Sequence, residues 1–275
     1  MTRPDQKLVL VLVSAGPIPI TNLEDYDAVL YAGLGGQAAG YGVADVMWGA
    51  VSPSARFPVT VYAADYLSKV GPILDYSTTS GVGRTCEPSN GLPQPSRHGR
   101  LTQTVCALLP TDRYLDTAKS PPIFKFGFGL SYSHFTYSDL AVHSFPDKTV
   151  NVTATVRNDA PIGSPSWGAG ATEIPQLYVT VPRQPAPLPV PRLALQGFTK
   201  VQLPAQGSAS LSFRLVPRQY CTVLDSGRCK VFAGEYRVSV GGHQPEDELG
   251  EATSNVVSAS FTVSEAWTVP RANAD

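Results

Sequence analysis

The sequence predicts an α/β unit with a parallel sheet, followed by an all-β antiparallel sandwich of roughly immunoglobulin type. Three observations carry this. Near the start, short apolar runs alternate with a stretch of helical periodicity, the order that builds a parallel sheet. From Phe135 onward, apolar-alternating runs recur with turn residues between nearly all of them, as in two packed antiparallel sheets. Glycine (24) and proline (25) gather between the runs, where turns need them. With 275 residues, 43% of them hydrophobic, the chain is long enough for two domains with a sizeable core.

Residues 8–20, opening Leu8-Val-Leu-Val-Leu-Val, read as a strand buried on both faces of a parallel sheet. The run has the outline of a short secretory leader, with Arg3 and Lys7 before it and Ser14-Ala-Gly16 after it. Six apolar residues are few for a leader core, however, and Asp5 interrupts the basic front. Residues 27–33 form a second strand and 37–49 a helix. Val43, Val46 and Met47 share a helix face, Gly40 and Gly42 are placed for close approach to the sheet, and Trp48 is expected in the core. From 67 to 125 periodicity gives way to Gly, Pro, Ser and Thr, a loop of unusual length for a compact domain. Phe126-Gly-Phe-Gly-Leu-Ser-Tyr132 puts bulky residues on one side and glycines on the other, a strand that would join the two domains rigidly. Sandwich strands are expected at 135–142, 149–156, 176–181, 193–203, 209–216, 220–224, 235–240 and 256–263, with a proline-rich crossover at 182–191. The predicted division is a partial α/β domain at 1–66, an irregular connection at 67–125, the sandwich at 126–266 and a tail at 267–275.

Charge and spacing exclude several functions. Basic residues (21) balance acidic ones (22), which gives no surface for tracking phosphates, so nucleic acid is not an expected partner. No apolar run approaches the roughly 20 residues that span a bilayer. Cys86, Cys106, Cys221 and Cys229 include no close Cys-x-x-Cys pair, and His98, His134, His143 and His243 are dispersed, so neither a metal nor a cofactor is expected. Gly33-Leu-Gly-Gly-Gln-Ala38 has the outline of a dinucleotide loop. It lacks the acidic residue needed about 20 positions later, where Pro53-Ser-Ala-Arg stands instead. Asp25, Asp27, Asp45, Asp65, Asp75, Asp112 and Asp116 show no spacing that pairs two of them for sugar cleavage, and they fit turns and solvated surfaces. No residue is therefore assigned a catalytic role. Cys221 and Cys229 flank an expected hairpin turn at 225–227, open either to a disulfide or to two unpaired thiols. Asn151-Val-Thr153 is a glycosylation sequon, and Trp167, in a Gly-Ser-Pro-rich loop, is the tryptophan best placed for stacking on a sugar.

Several motifs in order resemble a known family. These are Leu8-Val-Leu-Val-Leu-Val-Ser-Ala-Gly-Pro, the stretch from Gly33 to Tyr62, Phe126 to Tyr132, Gln176-Leu-Tyr-Val, Leu195-Gln-Gly-Phe and Gly234-Glu-Tyr-Arg-Val-Ser-Val-Gly. Together they resemble the last two domains of family 3 glycoside hydrolases, an α/β sandwich followed by a fibronectin type III-like domain. Gln37-Ala-Ala, Val61-Tyr-Ala-Ala-Asp-Tyr-Leu and Gly83-Arg-Thr85 look closer to the plant-type β-xylosidase and α-arabinofuranosidase branch. In that family Gly-Arg-Thr runs directly into Tyr-Arg. Here Cys86 follows and the pattern resumes near Arg113-Tyr114, so 86–112 reads as an insertion, either a translated intron or a lineage-specific loop.

The resemblance implies a retaining enzyme whose nucleophile and acid/base residue lie on a barrel and its continuation outside this sequence. The expected partners are that barrel and an oligosaccharide of xylan or arabinoxylan type, in a secreted protein, with the present residues inert alone. The competing expectation is a stand-alone module that binds carbohydrate or protein. A docking part should show an incomplete sheet and an exposed apolar surface, whereas a module should show a self-sufficient first sheet and an exposed aromatic strip.

Overall fold

Two parallel strands, β1 (Val9–Leu12) and β2 (Ala28–Tyr31), pair in the register Val9 to Ala28 through Leu12 to Tyr31. Asp27 fixes this register by accepting hydrogen bonds from the Leu8 amide and the Lys7 ammonium, both at 2.8 Å. The computed structural model describes residues 6–16, 18, 20, 22–65, 121–163, 170–182, 193–224 and 226–270. The insertion at 86–112, most of the crossover at 182–191, Trp167, Cys86, Cys106, His98, Asp75, Asp112 and Asp116 lie outside these residues.

The first unit departs from expectation in its packing. Among the described residues its parallel sheet has two strands, so β1 is not buried on both faces; Val9 and Val13 are exposed. The helix α1 (Ala39–Met47) is shorter than expected. It stops where Gly49 takes up φ 73°, the left-handed conformation that commonly ends a helix. Among the described residues nothing packs against Gly40 or Gly42, and Trp48, expected in the core, is 79% exposed. The glycines are thus not a packing device against this sheet. The loop expected through residue 125 ends earlier, because β4 (Pro122–Phe124) pairs antiparallel with β3 (Val61–Tyr62). The unit's nucleus is aromatic, with ring centroids 5.4 Å apart for Tyr31 and Phe57, 5.5 Å for Phe57 and Phe124, and 5.0 Å for Phe124 and Phe128.

The second unit is the expected sandwich. One sheet orders β11 (Ser208–Leu215), β6 (Val150–Asn158) and β5 (Phe135–Ser144). The other orders β15 (Val256–Val263), β14 (Gly234–Gly241), β8 (Gln176–Thr180) and β9 (Ala194–Phe198). Period-two alternation sends Val150, Val152, Ala154 and Val156 of β6 inward with Leu177, Val179, Val238 and Val240 of the facing sheet, all buried. Tyr236 stacks on Phe261 at 5.1 Å and Tyr220 meets both edge-on.

Smaller pieces refine the prediction. The run 193–203 is two strands, since β10 (Val201–Leu203) leaves β9 to pair with β7 (Ala171–Glu173). The run 220–224 begins instead as a helical turn, α2 (Pro217–Tyr220), and continues as β12 (Thr222–Val223), which pairs with β13 (Cys229–Val231). β13 also pairs with β16 (Trp267–Thr268), inside the segment expected to be tail. Cys221 and Cys229 are joined across this hairpin, with Cα atoms 5.6 Å apart. Residues 126–132 do not form a strand. Gly127 at φ 81° breaks the alternation, leaving Phe128 buried while Leu130 and Tyr132 face outward.

Candidate functional site

The two units meet at a buried polar joint made largely by residues 53–57, 125–132 and the ends of sandwich strands. Phe57 anchors it through both main-chain groups, its amide donating to the Phe128 carbonyl and its carbonyl accepting from the Gly127 amide, each at 2.8 Å. Glycine is required at two points of this crossing. A Cβ on Gly129 would sit 2.4 Å from the Ala55 carbonyl oxygen, and one on Gly127 would sit 2.3 Å from Gln176 Oε1. The glycines of this segment thus admit the Ala55 backbone and the Gln176 side chain although no strand forms.

Beside this crossing, Arg56 reaches into the sandwich. Its Nη2 donates to Glu173 Oε2 at 2.7 Å and its Nε to the Gly242 carbonyl at 2.9 Å, with side-chain exposures of 7% for Arg56 and 0% for Glu173. Tyr137 donates its hydroxyl to the other Glu173 oxygen at 3.0 Å. Burial, and then the Glu173 charge, push the Tyr137 phenol well above its ordinary range, so it stays protonated as a donor. Gln176 Nε2 donates to the carbonyls of Gly127 at 3.0 Å and Gly242 at 2.7 Å, while its Oε1 accepts from Tyr178. This explains why Gln176 to Val179 of β8 are buried on both faces. Leu177 and Val179 enter the core, and Gln176 and Tyr178 are covered by the first unit.

The loop after β14 closes the joint from the sandwich side. Gln244 donates to the Phe126 carbonyl at 3.0 Å, and the Lys125 ammonium donates to the Glu246 carbonyl. Asp247 is buried here with its Oδ2 unpartnered, and burial raises its pKa although Lys125 opposes the shift. Ser52 ties the helix end to the same segment, since its hydroxyl lies 3.0 Å from that of Ser131 and accepts from the Tyr132 amide.

The sequence-named carboxylates fall elsewhere. Asp25 and Asp45 are exposed, Asp27 serves β1, and Asp65 lies past the end of β3 on the surface. The buried carboxylates among the described residues are Glu173 and Asp247, and the former is committed to Arg56 and Tyr137. Glycoside cleavage needs two carboxyl groups facing each other across an open cleft. A carboxylate sealed under a guanidinium can only support. Asn151 sits in the middle strand of its sheet, half-buried, and its Oδ1 accepts from Ser212 at 3.1 Å.

The sequence marks Phe126–Tyr132 as the join and Gln176 within a family-like motif, but not the Arg56–Glu173 pair, for which one signal was available. Glu173 shares a face with Ala171 in a short strand that otherwise points inward, and a charge at an inward position demands a partner.

The fold is a small α/β unit bolted through buried polar groups to a fibronectin-like sandwich. Residues 2–132 match the glycosyl hydrolase family 3 C-terminal domain and residues 173–244 the fibronectin type III-like domain. The chain thus carries the family 3 C-terminal domain and a fibronectin type III-like domain in succession. It is 29% identical to beta-glucosidase cel3A of Pyricularia oryzae, over 93% of this chain and 34% of that protein. It is 30% identical to probable beta-glucosidase J of Neosartorya fischeri, over 94% of this chain and 27% of that protein. Among solved structures, beta-glucosidase 3B from Thermotoga neapolitana in complex with glucose superposes with a TM-score of 0.69 at 26% identity, covering 96% of this chain and 32% of that one. The chain therefore spans roughly a quarter to a third of the length of these relatives. They are named β-glucosidases, whereas the sequence motifs pointed toward the β-xylosidase branch.

Proposed function

We propose that this chain is the supporting part of a retaining β-glycosidase, and that a catalytic barrel carrying the sugar-cleaving carboxylates packs on its α/β unit. The observation that carries this reading is the state of that unit. A parallel sheet is ordinarily covered on both faces, yet here it has two strands among the described residues, and Leu34, Tyr41 and Trp48 are each more than 70% exposed. In this reading these exposed side chains belong to the surface that the barrel covers. An independent binding module would instead have a self-sufficient first sheet, which favours the docking reading over the module.

In this reading the joint transmits rigidity. Arg56, Glu173 and Gln176 hold the crossing at Phe57 and Phe128 in place, and α1 and the loop before it face the barrel. The sugar is a separate matter. The names of the relatives support a terminal β-glucoside as substrate, while the Gln37-Ala-Ala and Gly83-Arg-Thr85 motifs support a xyloside from xylan or arabinoxylan.

The test uses aryl β-glucoside and aryl β-xyloside with two proteins, the 275-residue chain and the same chain joined to the barrel of a related β-glucosidase. The chain alone should release no phenol, and the joined protein should. Turnover by the chain alone, abolished by replacing one of its own carboxylates, would overturn the proposal. The better aryl glycoside of the joined protein reports on the sugar.

A further inference from the structure

The sandwich has a recess far along the chain from the joint residues 53–57. The turn between β5 and β6 and the segment between β15 and β16 line an open recess of about 260 Å³. Its lining includes the buried rings of Tyr220 and Phe261, the half-buried Trp267 and the exposed ring of Phe145. Phe145 is held edge-on against His143, with centroids 4.6 Å apart, and its amide donates to the Thr149 carbonyl at 2.9 Å, so the ring sits on a closed turn. The Tyr220 hydroxyl donates to the Lys148 carbonyl and fixes the opposite side of the same turn.

We propose that this recess binds one end of a neutral oligosaccharide. Two features select that class. A sugar ring presents an apolar C–H face and a rim of hydroxyls, and the recess sets aromatic rings beside the exposed polar side chains of Lys148, Thr262 and Glu265. Its charge balance selects a neutral ligand. One ammonium offers only donors and one carboxylate only acceptors, a combination that sugar hydroxyls, which both donate and accept, satisfy at once. The volume is small beside the roughly 300–1,000 Å³ of clefts that enclose whole ligands, so the recess takes the end of a chain and leaves the remainder in solvent. Phe145, Lys148 and Glu265 are all exposed and lie outside the buried core.

The experiment titrates the 275-residue chain with cellotetraose and xylotetraose and follows the methyl resonances of Val150 and Val263. Either sugar should shift both valines saturably, with tetragalacturonate weaker than the neutral sugar that binds. Phe145→Ala and Glu265→Gln should each weaken binding about tenfold, without changing the melting temperature. Absence of a saturable shift from both neutral sugars up to about 10 mM, tighter binding of tetragalacturonate, or binding unchanged in both variants would overturn the proposal. None of these outcomes bears on the catalytic reading, because the titration involves no turnover.

Discussion

The sandwich and the α/β unit are built from the same apolar residue types and differ in what those residues touch. In the sandwich, Val152, Val156, Leu177, Leu215 and Val240 have no measurable exposure, each enclosed by alternate residues of the facing sheet. In the α/β unit the Leu and Val residues of β1 and β2 are at best half-buried, and large side chains such as Leu34 and Trp48 project into solvent. The sandwich supplies its own second layer, whereas the α/β unit, with two parallel strands among the described residues, depends on further surfaces. The joint is one such surface, and the aromatic nucleus around Phe57 is seated directly on it.

The joint is where the dependence of the α/β unit is tested most directly. Removing Glu173 leaves the Arg56 guanidinium buried without a counter-charge, and breaking one side of a buried pair costs about 3–5 kcal/mol. Glu173→Ala should therefore cost about that much in denaturant unfolding. Arg56→Met combined with Glu173→Leu should recover most of it, since a buried pair replaced by apolar groups of similar size is often neutral. Amide exchange should show where the loss falls. Residues 28–31 and 57 should lose protection in Glu173→Ala before β6 does. Equal loss in both units would mean that the joint supports the sandwich rather than the α/β unit.

What was legible in the sequence follows from this division. Strands that face one layer and solvent on the other side alternate, so β6, β11, β14 and β15 could be read within a residue or two. Their partner β8 reads instead as continuous burial, because Gln176 and Tyr178 are covered by a segment nearly 50 residues away in sequence. The α/β unit was harder to read. Its Leu-Val run has the composition of a doubly covered strand, and composition registers what a segment is suited to bury, not what is present to cover it. Trp48 was misplaced for the same reason. The joint itself combines Arg56, Glu173 and Gly242, which share no periodicity and meet only through the fold.

A second contrast compares truncations of similar size. Leu177→Ala empties a position with no measurable exposure and should cost about 2–5 kcal/mol through lost transfer energy and the cavity left behind. Leu34→Ala removes the same atoms from solvent and should change stability by no more than about 0.5 kcal/mol. With the barrel attached, the second value should rise, since a docked Leu34 would become a buried one. A Leu34→Ala cost that stays small in the joined protein would move the docking surface away from this loop.

A further expected effect is a pH dependence arising in the sandwich core. Burial first, then the neighbouring Tyr236 and Asp147 oxygens, push the Tyr220 phenol from 10 up to about 12. Burial likewise raises Tyr236. Between the ordinary value and the raised one, the unfolded chain releases the Tyr220 proton while the folded chain keeps it, so the folded state binds more protons. The sign follows from linkage, with this contribution fully present below pH 10 and lost as pH rises toward about 12. Melting temperature measured across that window should therefore fall with rising pH. In Tyr220→Phe, which keeps the ring and removes the titrating hydroxyl, the fall should be shallower, at the cost of the bond to the Lys148 carbonyl. An identical slope in the variant would place the alkaline sensitivity on other groups, Tyr137 in the joint first among them, and so return it to the boundary between the two units.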